Sequence, residues 1–135
     1  MQQTHNRITL LTTNAIGFPF IVRHKAIKFT DENNTTKIIH RTTSGVEILS
    51  YNAFMKERHI INHKAYPLRR EFDTESLLAK YNHKPFNWMS NNCEDFTSDV
   101  IKETCGVEIR PRSAQRTNWI IVLGVILILM ILIKR

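Results

Sequence analysis

Asn91-Asn92-Cys93-Glu94-Asp95-Phe96 is the stretch on which the reading of this chain turns. The asparagines stand where a helix needs a cap, because their side-chain oxygens can accept from unpaired backbone N–H groups. Glu94 and Asp95 follow in what becomes the first turn, where negative charge complements the helix dipole. Cys93, Phe96, Val100 and Ile101 then fall at i, i+3, i+7 and i+8, one face of a helix. The spacing predicts a helix from Cys93 to Thr104, with Asn91 or Asn92 at its start and Gly106 just past its end. A cysteine at that start meets unpaired N–H groups that favour the thiolate. Glu94 and Asp95 oppose the same ionisation. The apolar face also carries the sulfur, so Cys93 is expected to point into the body of the domain.

Working outward, the first half reads as strands. Ile8 to Leu11 is a short strand, and Gly17 and Pro19 mark a turn. Phe20 to Phe29 reads as a strand carrying His24. Asp31-Glu32-Asn33-Asn34 is a polar turn, so Lys37 to Thr42, carrying His40, returns beside it as a hairpin. Gly45 turns the chain into Val46 to Leu49, Asn52 to Glu57 is one helical turn, and Ile60 to Tyr66 is a further strand. Asp73 or Thr74 caps a helix through Leu77, Leu78 and Tyr81. The expected fold class is α+β, a small antiparallel sheet with helices packed on one side. In that fold Cys93 is a candidate nucleophile, His24 a base and His40 its orienting partner. His5, His59, His63 and His83 are expected to be solvated, and Cys105 to be structural.

Composition narrows the classes. The chain has 135 residues and a formal net charge of +7. Its basic residues are scattered except for Arg110, Arg112 and Arg116. No phosphate-cradling glycine loop or nucleic-acid motif is present, so nucleic acid is not an expected partner. Cys93 and Cys105, twelve residues apart on one helix, stand about 18 Å apart along its axis. A disulfide needs Cα atoms within about 7 Å, so both are expected as free thiols. Paired Cys/His spacings are absent, and neither a metal nor another cofactor is expected. The N-terminus opens no apolar run of the kind a secretory signal needs.

Trp119 to Ile133 is an unbroken apolar run of fifteen residues with Lys134 and Arg135 behind it. It is expected to be a single-pass C-terminal transmembrane helix, at the short edge of the length a bilayer requires. The expected organisation is a catalytic domain over 1–112, a basic juxtamembrane linker over 113–118 and an anchor over 119–133. Arg110, Arg112 and Arg116 would then meet anionic lipid headgroups. Only two residues follow the anchor, so the domain is expected on the cytosolic side of a membrane, as a monomer.

Asn92-Cys93-Glu94 followed by Phe96, with His24 and His40 upstream on a hairpin, resembles the lecithin:retinol acyltransferase-like (LRAT-like) family. The likeness is to its small phospholipase/acyltransferase branch, and it covers roughly residues 20 to 105. It implies a permuted papain-like fold, with His24 as base, His40 as the second polar group and Cys93 as nucleophile. It implies a membrane-anchored thiol phospholipase or acyltransferase that acts on glycerophospholipids through a cysteine acyl-thioester. This chain departs from the family pattern at Lys25, Lys28, Thr30 and Asp95. The competing readings are a thiol peptidase or isopeptidase of permuted papain-like type, and an inactive tail-anchored adaptor.

Overall fold

Short turns between β-branched runs fold the first half of the chain into one sheet. The computed structural model describes residues 6–15, 23–86, 92–110 and 112–134. Its strands are β1 Arg7–Asn14, β2 Arg23–Thr30, β3 Thr36–Thr42, β4 Gly45–Ser50 and β5 Ile60–Pro67. Its helices are α1 Tyr51–Met55, α2 Thr74–Tyr81, α3 Cys93–Cys105 and α4 Arg112–Ile133. The strands lie in the order β4-β3-β2-β1-β5, every neighbouring pair antiparallel. Phe20 to Val22, read as the start of the second strand, lie outside the described residues.

Two turns set the register that the site depends on. Between β2 and β3 the Asp31 carboxylate accepts from Asn33 N (3.0 Å) and Thr35 N (2.8 Å) and pairs with Lys37 at 2.9 Å. Asn34 takes the left-handed conformation there (φ 61°), which asparagine tolerates. Between β3 and β4 the turn is two residues long, so Thr42 pairs with Gly45, His40 with Glu47 and Ile38 with Leu49. Gly45 has a φ of +141°, and a Cβ there would come within 2.5 Å of Asn82 Oδ1, so only glycine fits.

The sheet is covered on both faces. On one, Ile8, Leu10, Ile27, Phe29, Ile39 and Val46 pack against Leu77 and Tyr81 of α2 and Phe96, Val100 and Ile101 of α3. On the other, Leu11, Ala26 and Ile38 pack against Phe54 of α1. The expectation of helices on one side is therefore corrected. A five-residue helix with one buried aromatic carries too little pattern to announce a second layer. Arg41 faces α2 and is 1 % exposed. Its guanidinium donates to the carbonyls of Tyr81 (2.9 Å) and Lys84, at the negative end of the α2 dipole.

The transmembrane helix expected at the C-terminus is also corrected. Among the described residues no helix is long and apolar enough to cross a membrane. α4 runs for 22 residues, but its apolar stretch is only 119–133. Fifteen residues rise about 22 Å, short of a hydrocarbon core of about 30 Å. Residues 113–118, read as a linker, belong to the same helix. The apolar side chains from Trp119 to Ile133 stand exposed.

Candidate active site

The start of α3 is built by the residues that the sequence marks. Asn92 is the N-cap; its side chain accepts from Glu94 N (2.9 Å) and Asp95 N (3.2 Å). The Asp95 carboxylate accepts from Asn92 N (3.1 Å), completing a reciprocal capping box. Asn91, the alternative cap, lies outside the described residues. Gly106 closes the helix in the left-handed conformation at φ 70°.

This start sits against β2 where the sheet opens. The β2–β3 ladder runs from Thr30↔Thr36 to Ile27↔Ile39 and ends there. Past its end the backbone N–H of Lys25, with those of Cys93 and Glu94, pulls the Cys93 thiol down. Burial nevertheless pushes the thiol above its ordinary value, and Glu94 adds to the rise. Desolvation of the charged form thus works against the helix start, which favours the thiolate, and on the same side as Glu94.

The histidines meet one another across the same opening, from the opposite face. His24 Nε2 and His40 Nδ1 are 2.8 Å apart. His40 Nε2 is 2.8 Å from Glu47 Oε1. Phe54 lies 6.1 Å from the His24 ring and 5.1 Å from the His40 ring, so both imidazoles sit against an apolar wall. His40 is 2 % exposed. Burial pushes His24 down to about 3, helped by the charges of His40 and Arg58. Burial lowers His40 as well, against the pull of Glu47. Both rings are therefore neutral at pH 7, and the His40–Glu47 contact is an imidazole N–H donated to a carboxylate. Among the described residues no hydrogen bond joins the Cys93 thiol to either imidazole.

Arg58 completes the electrostatics. It follows α1, stacks over Phe54 at 4.8 Å and donates to Asn14 O at 3.0 Å. Its charge lowers both imidazoles, and burial lowers Arg58 itself against the opposite pull of Cys93, Glu47 and Glu57. Glu47, Phe54 and Arg58 were not singled out from the sequence. Glu47 alone had a legible signal, since a two-residue turn at Thr43 and Ser44 puts position 47 opposite 40.

A cavity of about 140 Å³ adjoins the start of α3, lined by Leu10, Lys25, Glu94, Thr97, Ser98, Ile109 and Arg110. It mixes two cations and a carboxylate with apolar side chains. Arg110 is thus beside the site, whereas Arg112 and Arg116 lie on α4. Cys105 is buried at the far end of α3, and neither cysteine is in a disulfide. His59, His63 and His83 are exposed, while His5 lies outside the described residues. No grouping of three His, Cys, Asp or Glu side chains that could hold a metal occurs among the described residues.

Chemically, the arrangement offers a protonated sulfur at a helix start, a neutral imidazole pair at the β2 end that this helix packs on, and the cation of Arg58. That is a setting for nucleophilic attack with general-base assistance rather than for a standing thiolate. No family model matches the chain, and neither a curated protein nor a solved structure matches it.

Proposed function

We propose that this chain is a thiol acyl-transfer enzyme that takes acyl groups from glycerophospholipids, as its resemblance to the LRAT-like family implies. The carrying observation is Cys93 at the first position of α3, a helix packed on β2, whose end holds the His24–His40–Glu47 chain. His24 Nδ1 takes the thiol proton as Sγ bonds to the ester carbonyl carbon. Catalytic hydrogen bonds of this kind often close only when substrate is bound. The carbonyl oxygen becomes an oxyanion under the N–H groups of Lys25, Cys93 and Glu94. Collapse breaks the C–O bond, the leaving alcohol takes the proton from His24, and an acyl-thioester remains on Cys93. Water or another nucleophile then attacks the thioester. It gives its proton to His24, which returns it to the sulfur.

Two further features support a lipid as acyl donor. The cavity beside α3 pairs apolar Leu10 and Ile109 with cationic Lys25 and Arg110, which suits an ester that carries a phosphate. Exposed apolar side chains run the length of 119–133. Soluble monomers rarely leave so large an apolar surface bare. Both support action at a lipid surface.

The test incubates the full chain with mixed-acyl phosphatidylcholine vesicles, beside Cys93→Ala and His24→Ala. Mass spectrometry reads released fatty acid and acyl adducts. Turnover with an adduct on Cys93, lost in both variants, is expected. Turnover of a peptide or isopeptide substrate with no lipid turnover would replace this reading with a thiol peptidase. Folded protein with neither activity would leave an inactive adaptor.

A further inference from the structure

We propose that Glu47 is a positioning residue that fixes the tautomers of both imidazoles and so leaves His24 Nδ1 bare to act as the base. The proposal rests on the reading of His24 as base given above, and it starts from the register of two strands. The two-residue turn after Thr42 sets His40 directly opposite Glu47, the position that brings side chains together across an antiparallel pair.

From there the hydrogen-bond directions follow one another. An ionised carboxylate can only accept. At 2.8 Å from Glu47 Oε1, His40 Nε2 must therefore carry the hydrogen. His40 is neutral, so its Nδ1 is bare and can only accept. His24 Nε2, 2.8 Å from that nitrogen, must be the donor. His24 is neutral too, so its one hydrogen is already placed and its Nδ1 lone pair is free. One acceptor-only group at the end of the chain thus sets the polarity of both links.

Among the described residues, Arg58 and Glu47 are the charged side chains that act on the two rings. Phe54 covers both rings and offers neither donor nor acceptor in their plane. Arg58 follows α1 and Glu47 lies on β4; Cys93 on α3 acts on Arg58. Arg58 can only donate, and its positive charge disfavours an imidazolium. Glu47 is the acidic neighbour that opposes it. Without the carboxylate, His40 can hold its hydrogen on Nδ1 and donate to His24 Nε2. His24 then carries its hydrogen on Nδ1, and the base is blocked. Glu47 can be changed without threatening the core, since its side chain is 49 % exposed.

The experiment compares the full chain with Glu47→Ala and Glu47→Gln by ¹⁵N long-range correlation of the histidine rings at pH 7.5, with melting curves as the control for folding. In the parent, both rings are expected to be protonated on Nε2 and bare on Nδ1. Glu47→Ala is expected to move His24 and His40 toward the opposite tautomer. Ester turnover should fall at least about tenfold, as wrong-tautomer variants of Cys- or Ser-His systems do. Glu47→Gln keeps an acceptor oxygen, so it is expected to retain the parent tautomers and most of the rate. Unchanged tautomers in Glu47→Ala would overturn the proposal. The ring spectra need no turnover. A tautomer change in a chain that processes no ester would therefore sink the proposed function and leave the relay standing. Cys93-dependent turnover unaffected in Glu47→Ala would do the reverse.

Discussion

Replacing Asn92 by alanine isolates what holds the proposed nucleophile in place. In the parent, one Asn92 oxygen accepts from two backbone N–H groups, at 2.9 and 3.2 Å, and Asp95 answers with a bond to Asn92 N. Loss of such a cap costs about 0.5–2 kcal/mol. The cap is half-buried, so water replaces the lost acceptor poorly, and the expected loss lies in the upper half of that range. For a domain of roughly 100 residues each kcal/mol lowers the melting temperature by about 4–8 °C. The assay is urea unfolding of the full chain in a mild non-ionic detergent, with an unchanged m-value as the check that only stability has moved. Glycine at the same position exposes the backbone to water and should cost only a few tenths. Asp95→Ala should weaken the same box, and the double variant should lose less than the sum by about 0.5–1 kcal/mol. A loss below about 0.3 kcal/mol for alanine, a glycine variant as damaged as alanine, or strict additivity would each refute this account.

The pH dependence of Cys93 alkylation by iodoacetamide, in a Cys105→Ser background, should show no acid-side plateau. Burial raises the thiol and lowers His24, so the rate should climb about tenfold per pH unit from 6 to 8; a plateau between pH 4 and 7 would mean a standing thiolate–imidazolium pair. His24 also predicts acid sensitivity. Its folded value lies below its unfolded one, so its contribution is complete above 6.5 and is lost as pH falls toward about 3. By pH 4 that loss amounts to roughly 3 kcal/mol, and His24→Asn should flatten the fall in urea midpoint between pH 7 and 4. Arg41→Ala should destabilise by about 3 kcal/mol or more, because it leaves the buried carbonyl of Tyr81 and the part-buried carbonyl of Lys84 without their donor. Arg41→Lys, with one point donor in place of a fork, should recover part of that loss; full recovery would show that charge alone matters.

Local rules carried the reading furthest where a feature is made by neighbours in the chain. Asn92 as cap, Gly106 as terminator and the hairpins bearing His24 and His40 rest on residues a few positions apart. The helix cap over the second face was not legible, since α1 buries only Phe54 and has no period to detect. Arg58 reaches the site through that cap and shared its obscurity. Arg41 read as one of many scattered charges, because burial of an arginine depends on carbonyls forty residues away. The desolvation of the Cys93 thiol was not legible for a related reason: the helix start is a local property, whereas burial is a tertiary one. The tail shows a limit of pattern. Its hydropathy was plain, but a span depends on length, and fifteen residues fall short.

The splayed end of the β2–β3 ladder divides the site between two folding units. His24, His40 and Glu47 belong to 24 consecutive residues joined by short turns, and they come together by local pairing. Cys93 arrives 69 positions after His24, carried by a helix docked on the opposite face. Contacts of such long range form late and open early. Partial unfolding will therefore lift α3 and its sulfur away while the imidazole chain stays assembled. Hydrogen exchange should register that as α3 amides opening before those of β2 and β3. Loss of the proposed activity would then precede loss of the sheet, and the stability of the whole domain would overstate the lifetime of the assembled site.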